Sequence, residues 1–276
     1  MSQEIRTAVI AAAGAASRMW PTSKAVPKEL YPIGRAPALL HLLDELAQAG
    51  IEQVMMVVGP DYAAQMRLLQ PGRNPPAKVA DTAPVQRLLE ILDTLRFAFV
   101  FQSGPYGNGT PLLNAMDILG DQPCLYCFCD DVVLGESLSA RMLEEYRVTG
   151  APAMAAQPVP AERVHKFGIV ECEVVDGHHR IQRLIEKPAP GETPSRLATF
   201  GRYVVTPELI AALRETPVGK GSELWFTDAV VRMVARGQPV YATPLTTGHW
   251  VTVGDAHGYA EALRVAQELG DACPLF

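Results

Sequence analysis

The sequence predicts an α/β fold in which a Rossmann-like mixed, mainly parallel sheet is flanked by helices. Two apolar runs, AVIAAA at 8–13 and VMMVV at 54–58, are typical of buried parallel strands because neither alternates between apolar and polar positions. Between them, residues 35–50 carry an apolar stripe at helical spacing and end on Gly50, which suits a helix C-cap. Strand, helix and strand at this spacing form a βαβ unit.

The first half of the chain continues the alternation of strands and helices that a parallel sheet needs. The sequence next predicts a proline-rich excursion at 71–84, a helix at 85–95, a strand at 97–102, a small-residue loop at 103–110, a short helix from Leu112 and a strand at 125–129. This last strand ends on Asp130 and Asp131.

The second half changes character, because its first predicted strands follow one another without long helices between them. The predicted strands cover 154–158, 168–175, 181–185, 198–205, 240–242 and 250–253. Helices are predicted at 207–215, 226–236 and 255–269. We therefore expect antiparallel members to be added to the parallel sheet.

Composition and charge are those of an ordinary globular enzyme. Apolar residues make up 48% of the 276 residues and charged residues 20%. The net charge of −6 argues against a general nucleic-acid binder, which carries a basic surface. No apolar run approaches the roughly 20 residues that span a bilayer, and the first residues lack the apolar core of a signal peptide. We expect a cytoplasmic protein with no membrane and no nucleic-acid partner.

The cysteines predict neither a disulfide framework nor a metal centre. Their number, 5, is odd, and the expected compartment is reducing. Cys124, Cys127 and Cys129 fall within a predicted buried strand, whereas zinc usually takes cysteines from turns, and no partner pair with histidine is nearby. We interpret these cysteines as small core residues.

A candidate site lies at the turn that follows the first strand. The small residues of GAASR at 14–18 let the backbone approach a ligand, and free N–H groups there can face phosphate oxygens. Arg18, Lys24 and Lys28 add three cations beside this turn. The pattern favours a site for a polyanionic nucleotide. The alternative is an ordinary βα turn with solvated lysines.

A series of short motifs runs along nearly the whole chain. They are AGAASRMWPTSKAVPKE at 13–29, Gln102 with GNG at 107–109, DD at 130–131, FGIV at 167–170, EKP at 186–188, GRY at 201–203 and ELWFTDA at 223–229. In this order they resemble the bacterial UTP–glucose-1-phosphate uridylyltransferases (UDP-glucose pyrophosphorylases), within the sugar-phosphate nucleotidyltransferase superfamily. The family pattern for the first segment is A-G-x-G-T-R-x-x-P-x-x-K-x-x-P-K-E.

The resemblance implies a single nucleotidyltransferase domain over 1–276, with a nucleotide-binding half at about 1–135 and a sugar-phosphate-binding half at about 136–276. The implied reaction is attack of a sugar 1-phosphate on the α-phosphorus of a nucleoside triphosphate, with release of pyrophosphate. UTP and glucose 1-phosphate are the expected substrates. The two polyanions must be held in line, and their charge neutralised by cations and by Mg²⁺, the expected cofactor.

The resemblance also implies roles for single residues. The nucleotide base would be bound by Ala13, Gly14, Glu29, Gln102 and Gly107. The expected catalytic residues are Arg18 and Lys24 on the triphosphate, Asp130 on the metal and Lys187 on the sugar phosphate. The sugar would be bound by Asp131, Gly168, Glu186 and Gly201.

Some positions depart from the family pattern. Ala16 replaces the second glycine of the first motif, so we expect its backbone to keep a conformation that tolerates a Cβ atom. Thr252 replaces an aspartate that helps to hold the metal, and threonine is a poor ligand for Mg²⁺. Either Asp255 or water substitutes, or catalysis is weak, or Asp130 and the triphosphate suffice. The last of these is our hypothesis.

Two classes of function remain open on the sequence. The first is an active nucleotidyltransferase. Tyr106 and Thr110 stand where uridylyl enzymes usually have Lys and His, which leaves room for another base or phosphate acceptor. The second is a non-catalytic regulator that binds a nucleotide sugar, favoured by Ala16 and Thr252. The retained charged residues of the motifs favour the enzyme. Family members commonly form dimers or tetramers, so we expect a homo-oligomer.

Overall fold

The structure, a computed structural model, describes residues 3–72, 75–270 and 275. Its strands are β1 (Thr7–Ala12), β2 (Pro32–Ile33), β3 (Ala36–Pro37), β4 (Gln53–Val58), β5 (Arg96–Phe101), β6 (Cys124–Phe128), β7 (Asp131–Leu134), β8 (Ala153–Pro158), β9 (Gly168–Val175), β10 (His178–Glu186), β11 (Leu197–Val205), β12 (Tyr241–Pro244) and β13 (His249–Thr252). Its helices are α1 (Ala38–Gln48), α2 (Ala63–Leu69), α3 (Ala83–Thr94), α4 (Thr110–Leu119), α5 (Leu138–Thr149), α6 (Pro207–Arg214), α7 (Phe226–Ala235) and α8 (Ala256–Leu269).

The elements belong to two units. What we call the parallel unit comprises the described residues of Arg6–Phe101, Phe128–Ala140 and Thr247–Phe276. The mixed unit comprises those of Met1–Ile5, Gln102–Cys127 and Arg141–Thr246. Each unit consists of three chain segments, whereas the expected halves are the continuous stretches 1–135 and 136–276. The expected single domain with these two halves stays a prediction.

The parallel unit is built on three parallel strands in the order β5–β4–β1. Met55 of β4 pairs with Val9 on one side and with Ala98 on the other. Strands β1 and β4 are buried along almost their whole length, as the absence of alternation in their sequences predicts. A second ladder in this unit pairs β7 with β13 in antiparallel fashion, and its apolar residues pack with those of α8.

The mixed unit contains the antiparallel strands that the second half of the sequence predicts. Its strand order is β6–β11–β8–β12–β10–β9, and the beginning of β11 also pairs with β9. Within this order only β8 and β12 run parallel to each other. The register of β11 against β8 shifts between Thr199 and Tyr203, so Gly201 lies in an irregular stretch of the strand.

Some elements were not predicted from the sequence. Helix α2 is short and begins at Ala63, shortly after Gly59-Pro60, and α5 carries a weakly amphipathic sequence, LSARMLEEYRVT. Strand β7 begins at Asp131, one residue after the turn that ends β6. Cys124, Cys127 and Cys129 are buried, as predicted for core residues. Within the described ranges, no helix has the length and hydropathy that crossing a membrane would require.

Glu45 gives a test of how the parallel unit is held together. Its buried carboxylate on α1 accepts hydrogen bonds from the backbone N–H of Ser139 at 2.8 Å and from the Ser139 hydroxyl at 2.7 Å. Replacing Glu45 with alanine removes the acceptor of both donors, so the free energy of unfolding should fall by about 2 kcal/mol in urea titrations. The matched control is Glu52→Ala, which removes an exposed ion pair with Arg6 and should cost at most about 1 kcal/mol. Equal losses in the two variants would contradict this assignment.

Candidate active site

In the parallel unit, three chain segments meet where β1 ends. The turn of residues 13–16 follows β1 directly. The backbone N–H of Cys129 donates to the Ala11 carbonyl at 3.2 Å, which brings Asp130 beside this end of the strand. The backbone N–H of Val253, just after β13, donates to the Asp130 carbonyl at 2.9 Å. The carboxyl end of β1 thus gathers the turn, Asp130 and the end of β13, at the edge where open α/β sheets bind ligands.

A largely buried ion pair joins Lys28 and Asp130 at this position. Each of the two side chains is only 13% exposed. Burial is the largest influence on the pKa of Lys28 and lowers it, but the charge of Asp130, a contribution from Cys129, the hydrogen bond that Asp130 accepts from Lys28 and the charge of Glu29 together raise the pKa above its ordinary value. A Cβ atom added to Gly14 would lie 3.9 Å from the Lys28 ammonium nitrogen. Lys28 therefore holds a fixed positive charge against the backbone of the turn.

Polar groups also converge on Gly254. A Cβ atom at this glycine would lie 2.6 Å from Asp130 Oδ2, 3.2 Å from Thr252 Oγ1 and 3.3 Å from a terminal nitrogen of Arg18. The Thr252 hydroxyl accepts a hydrogen bond from the Gly254 N–H at 3.1 Å. Glycine is required here because the carboxylate, the hydroxyl and the guanidinium occupy the space that a side chain would fill.

Asp255 has other partners. Its Oδ1 accepts a hydrogen bond from the Gly258 N–H at 2.9 Å and so caps the N-terminus of α8. Its Oδ2 lies 3.5 Å from an Arg18 nitrogen. Asp255 therefore orients a helix and an exposed arginine, while Asp130 faces Lys28.

The two neighbouring aspartates differ in their surroundings. Asp131 is 7% exposed and begins β7, where it pairs with Thr252 of β13. Its Oδ1 accepts a hydrogen bond from the Trp250 indole N–H at 2.9 Å. The Asp131 carboxylate is thus held within the β7–β13 ladder.

The other residues of the first motif range from buried to exposed. Glu29 is 3% exposed, and burial raises its pKa. Arg18 is 68% exposed, and Lys24 is exposed with its ammonium 5.9 Å from the centre of the Trp20 ring. Of the three cations of this motif, Lys28 is the one that the fold buries and fixes.

The expectation for Ala16 was wrong. Its φ of 47° and ψ of 38° place it in the left-handed region, where a Cβ atom costs about 1–2 kcal/mol. The Ala16 carbonyl accepts hydrogen bonds from the Met19 N–H and from the Ser23 hydroxyl, each at 2.9 Å. These bonds hold the sharp turn after β1 although the glycine of the family pattern is missing.

In the mixed unit, a second group of predicted site residues lies where β9 and β10 pair. Gly168 is opposite Glu186 in the register of these strands. A Cβ atom at Gly168 would lie 3.0 Å from Glu186 Oε2 and 3.1 Å from Thr199 Oγ1. Only glycine leaves these two side chains in place, so Gly168, which is itself buried, makes room for the Glu186 carboxylate and the Thr199 hydroxyl.

Lys187 follows Glu186 with an unusual backbone conformation. Its φ is 50°, and its ammonium lies 3.7 Å from Glu186 Oε1 and 6.0 Å from the centre of the Trp225 ring. Burial raises the pKa of Glu186, the charge of Lys187 opposes this rise, and the charge of Asp228 adds to it. The left-handed residue thus turns the Lys187 side chain toward both Glu186 and Trp225.

The small-residue loop of 103–110 is bound to the chain around Leu224. The Leu224 N–H donates to the Tyr106 carbonyl at 2.7 Å, and the Gly109 N–H donates to the Leu224 carbonyl at 2.9 Å. Asn108 Oδ1 accepts from the Phe226 N–H at 2.8 Å. Gln102 is half-buried before this loop. The loop is therefore a fixed support rather than a flexible connection.

Several contacts of the two groups were not found from the sequence. Lys28 stood among the cations of the turn, but nothing in the spacing singled it out as the partner of Asp130. Gly254 was noticed only as the neighbour of a substituted position, and Asn108 only as part of a glycine-rich loop. The signal for Lys28 was present, because it lies in the P-K-E element. Choosing between it and Lys24 required the fold.

These observations define the class of protein. A glycine-containing turn at the carboxyl end of a parallel strand is typical of α/β proteins that bind nucleoside phosphates, and here a fixed lysine and an aspartate lie beside that turn. The chain belongs to the Nucleotidyl transferase family, whose profile matches residues 7–268. It is an enzyme of nucleotidyl transfer, so the predicted enzyme class is confirmed.

Named relatives extend over nearly the whole chain. The UTP–glucose-1-phosphate uridylyltransferase YngB of Bacillus subtilis (strain 168) is 33% identical over 98% of this chain and 91% of its own length. The UTP–glucose-1-phosphate uridylyltransferase of Mycoplasma pneumoniae is 30% identical, over 94% of this chain and 91% of that relative.

Solved structures are similar to the chain as well. A UDP-glucose pyrophosphorylase complexed with UDP-glucose has a TM-score of 0.87 and 26% identity, over 96% of this chain and 100% of that chain. A UTP-bound UGPase from Acinetobacter baumannii has a TM-score of 0.81 and 26% identity, over 95% of this chain and 93% of that one. The predicted fold class and the family resemblance are both confirmed.

Gly107 and Gly104 form a matched pair for testing the rigidity of the loop. Both have positive φ, 128° and 103°, so an alanine would be strained at either. A Cβ atom at Gly107 would also lie 2.3 Å from the Leu224 carbonyl oxygen, whereas at Gly104 the nearest atom is 3.7 Å away. Gly107→Ala should therefore lower the free energy of unfolding by about 2 kcal/mol more than Gly104→Ala. Urea titration of both variants checks this. Equal losses of unfolding free energy would mean that the loop moves to accommodate the added Cβ atom and is not rigid.

Proposed function

We propose that the protein is a UTP–glucose-1-phosphate uridylyltransferase. A phosphate oxygen of glucose 1-phosphate attacks the α-phosphorus of UTP, and the bond from that phosphorus to the oxygen bridging to the β-phosphate breaks. UDP-glucose forms and pyrophosphate leaves. The names of the relatives and the UDP-glucose and UTP in the similar structures support these substrates. The observation that carries the proposal is the buried Lys28–Asp130 pair beside the turn after β1.

The nucleotide is assigned to residues of the first motif and of the 103–110 loop. The backbone of Ala13 and Gly14, with Glu29, Gln102 and Gly107, forms the base pocket in this proposal. Arg18, Lys24 and Lys28 carry the charge needed to neutralise the triphosphate and the departing pyrophosphate. Lys28 is added to the two cations assigned from the resemblance, because its charge is fixed next to Gly14.

The sugar phosphate is assigned chiefly to the β9–β10 group. Lys187 would neutralise the attacking phosphate, and the Glu186 carboxylate would accept hydrogen bonds from sugar hydroxyls. Gly168 and Gly201 would let the sugar approach the backbone. Asp131 keeps its predicted role as a further sugar ligand, held in place by Trp250. Fixing the nucleophile in line is the main contribution a protein makes to this reaction.

The family generally uses a divalent metal, and the donors around Asp130 fit one. Mg²⁺ is commonly held by one or two carboxylates together with substrate phosphates and water. Asp130 supplies such a carboxylate. Among the residues that the structure describes, no three His, Cys, Asp or Glu side chains form a metal cage, so phosphate oxygens would supply further ligands. Bound there, Mg²⁺ would neutralise triphosphate charge; we propose Asp130 as its protein ligand, with Thr252 contributing no carboxylate.

The proposal includes the protein's wider setting. We propose a cytoplasmic homo-oligomer, a dimer or a tetramer, without nucleic-acid or membrane partners. The support is the common assembly of the resembling family and the net charge of −6.

Pyrophosphate release is the direct test, with Mg²⁺ and each of the four ribonucleoside triphosphates and dTTP, with and without glucose 1-phosphate. Release should require UTP and glucose 1-phosphate together. Lys28→Met should lower kcat/KM by about 100-fold or more, because it removes a fixed charge from the transition state. Asp130→Ala should do the same.

The matched control is Lys78→Met, which removes an exposed lysine and should leave the rate unchanged. Pyrophosphate release with a different triphosphate would support the class of reaction but contradict the assignment of UTP as the substrate. Full activity of Asp130→Ala would remove the basis of the metal assignment. The absence of release with every pair, with UDP-glucose still binding in calorimetry, would favour the regulator.

The pH dependence of the sugar-phosphate step tests the role of Glu186. Its pKa is raised by burial and further by the charge of Asp228. An ionised carboxylate is needed to accept sugar hydroxyls, so kcat/KM for glucose 1-phosphate should fall as the pH drops through this pKa. Asp228→Asn removes the negative charge, lowers the pKa of Glu186 and should move this acid limb to lower pH. Asp117→Asn, an exposed carboxylate paired with Arg214, is the control and should leave the limb in place. A shift to higher pH in Asp228→Asn would contradict the assignment.

A further inference from the structure

Gln65 and Glu29 form a buried polar pair in the parallel unit. Gln65 lies on α2, a helix that belongs to none of the motifs, and each of the two residues is 3% exposed. The Gln65 side-chain amide donates to Glu29 Oε1 at 2.6 Å. Glu29 follows Lys28, whose ammonium lies beside Gly14, so the pair adjoins the turn assigned to the nucleotide.

The buried amide of Gln65 costs free energy, because only part of it is hydrogen-bonded. An ionised carboxylate only accepts hydrogen bonds, so the Gln65 amide must present its N–H to Glu29 and its oxygen elsewhere. That oxygen, Oε1, is buried and has no hydrogen-bond partner among the described residues. The hydroxyl of the nearby Tyr31 is likewise buried and has no hydrogen-bond partner among the described residues. An apolar side chain at position 65 would avoid this cost, so packing alone does not account for a glutamine there.

The pair of Gln65 and Glu29 is suited to distinguishing the two pyrimidine bases uracil and cytosine. Uracil presents an N–H donor at ring position 3, whereas cytosine presents a lone pair at the same position. A carboxylate oxygen accepts from the first and repels the second. Burial raises the pKa of Glu29, while a hydrogen bond from its own backbone N–H, the hydrogen bond from Gln65 and the charge of Lys28 oppose this rise and favour the accepting form. The remaining charged group that acts on Glu29 is Asp130, which adds to the rise.

We infer that Gln65 is a positioning residue for selection of the base: it occupies one oxygen of Glu29 and so directs the other to the ring N–H of uracil. The inference rests on the proposed function, in which Glu29 belongs to the base pocket. Gln65 does not touch the base in this scheme. It fixes the rotation of the carboxylate that does, and a site with a fixed acceptor rejects a base that lacks the donor.

The test compares kcat/KM for UTP and for CTP in Gln65→Met, Glu29→Gln and the double variant. Methionine keeps the length of glutamine and removes its N–H. Gln65→Met should lower kcat/KM for UTP roughly tenfold and leave that for CTP nearly unchanged, so the preference for UTP falls. In the Glu29→Gln background the same change should alter the preference by less than about twofold, because the residue acts through Glu29. Gln70→Met, at the exposed end of the same helix, should alter neither.

The outcomes separate this inference from the function on which it rests. Equal losses for UTP and CTP in Gln65→Met, or the same change of preference in both backgrounds, would overturn the positioning role. An unchanged preference in Glu29→Gln would overturn the place of Glu29 in the base pocket while the uridylyltransferase stands. Failure of the unmodified protein to use UTP would overturn the proposed function itself. Calorimetry with UDP and CDP repeats the comparison without turnover.

Discussion

The contact between Lys28 and Asp130 is the interaction on which the proposed nucleotide site depends. Both side chains are largely buried, and taking two charges out of water generally costs more than their attraction returns. An apolar pair of similar volume would serve stability as well. What the ion pair supplies is a lysine that stays charged beside the backbone of Gly14, and an aspartate held beside the carboxyl end of β1. Both are requirements of a site that handles polyphosphates.

The second constraint is that the backbone lies very close to functional side chains, and it acts in both units. At Gly254 a side chain would collide with Asp130, and at Gly168 with Glu186. In both places the missing side chain leaves room for a neighbouring carboxylate. Ala16 shows the opposite situation, because a residue with a Cβ atom accepts left-handed strain where the family pattern has glycine. The two hydrogen bonds that the Ala16 carbonyl accepts stabilise the turn in this conformation.

The sequence was sufficient for the fold class because its strands carry strong signals. Apolar runs without alternation predicted β1 and β4, and consecutive strands without helices predicted the antiparallel members. Helix α5 was missed because its apolar residues form only a weak stripe, and α2 because it is short. In the candidate site, the motifs named the segments but did not predict which of their side chains meet. The pairing of Lys28 with Asp130 joins positions 102 residues apart, and that of Glu29 with Gln65 joins a motif to a helix outside it.

The replacement of the expected metal-binding aspartate by Thr252 is consistent with this charge distribution. The turn contributes Arg18, Lys24 and Lys28, and a second carboxylate near Asp130 would cancel more of that positive charge before substrate arrives. With a single carboxylate the protein alone offers a divalent cation few ligands, whereas a bound triphosphate adds its own oxygens. In the proposed site, metal affinity would then be coupled to nucleotide binding, because the bound triphosphate would supply ligands that the protein lacks.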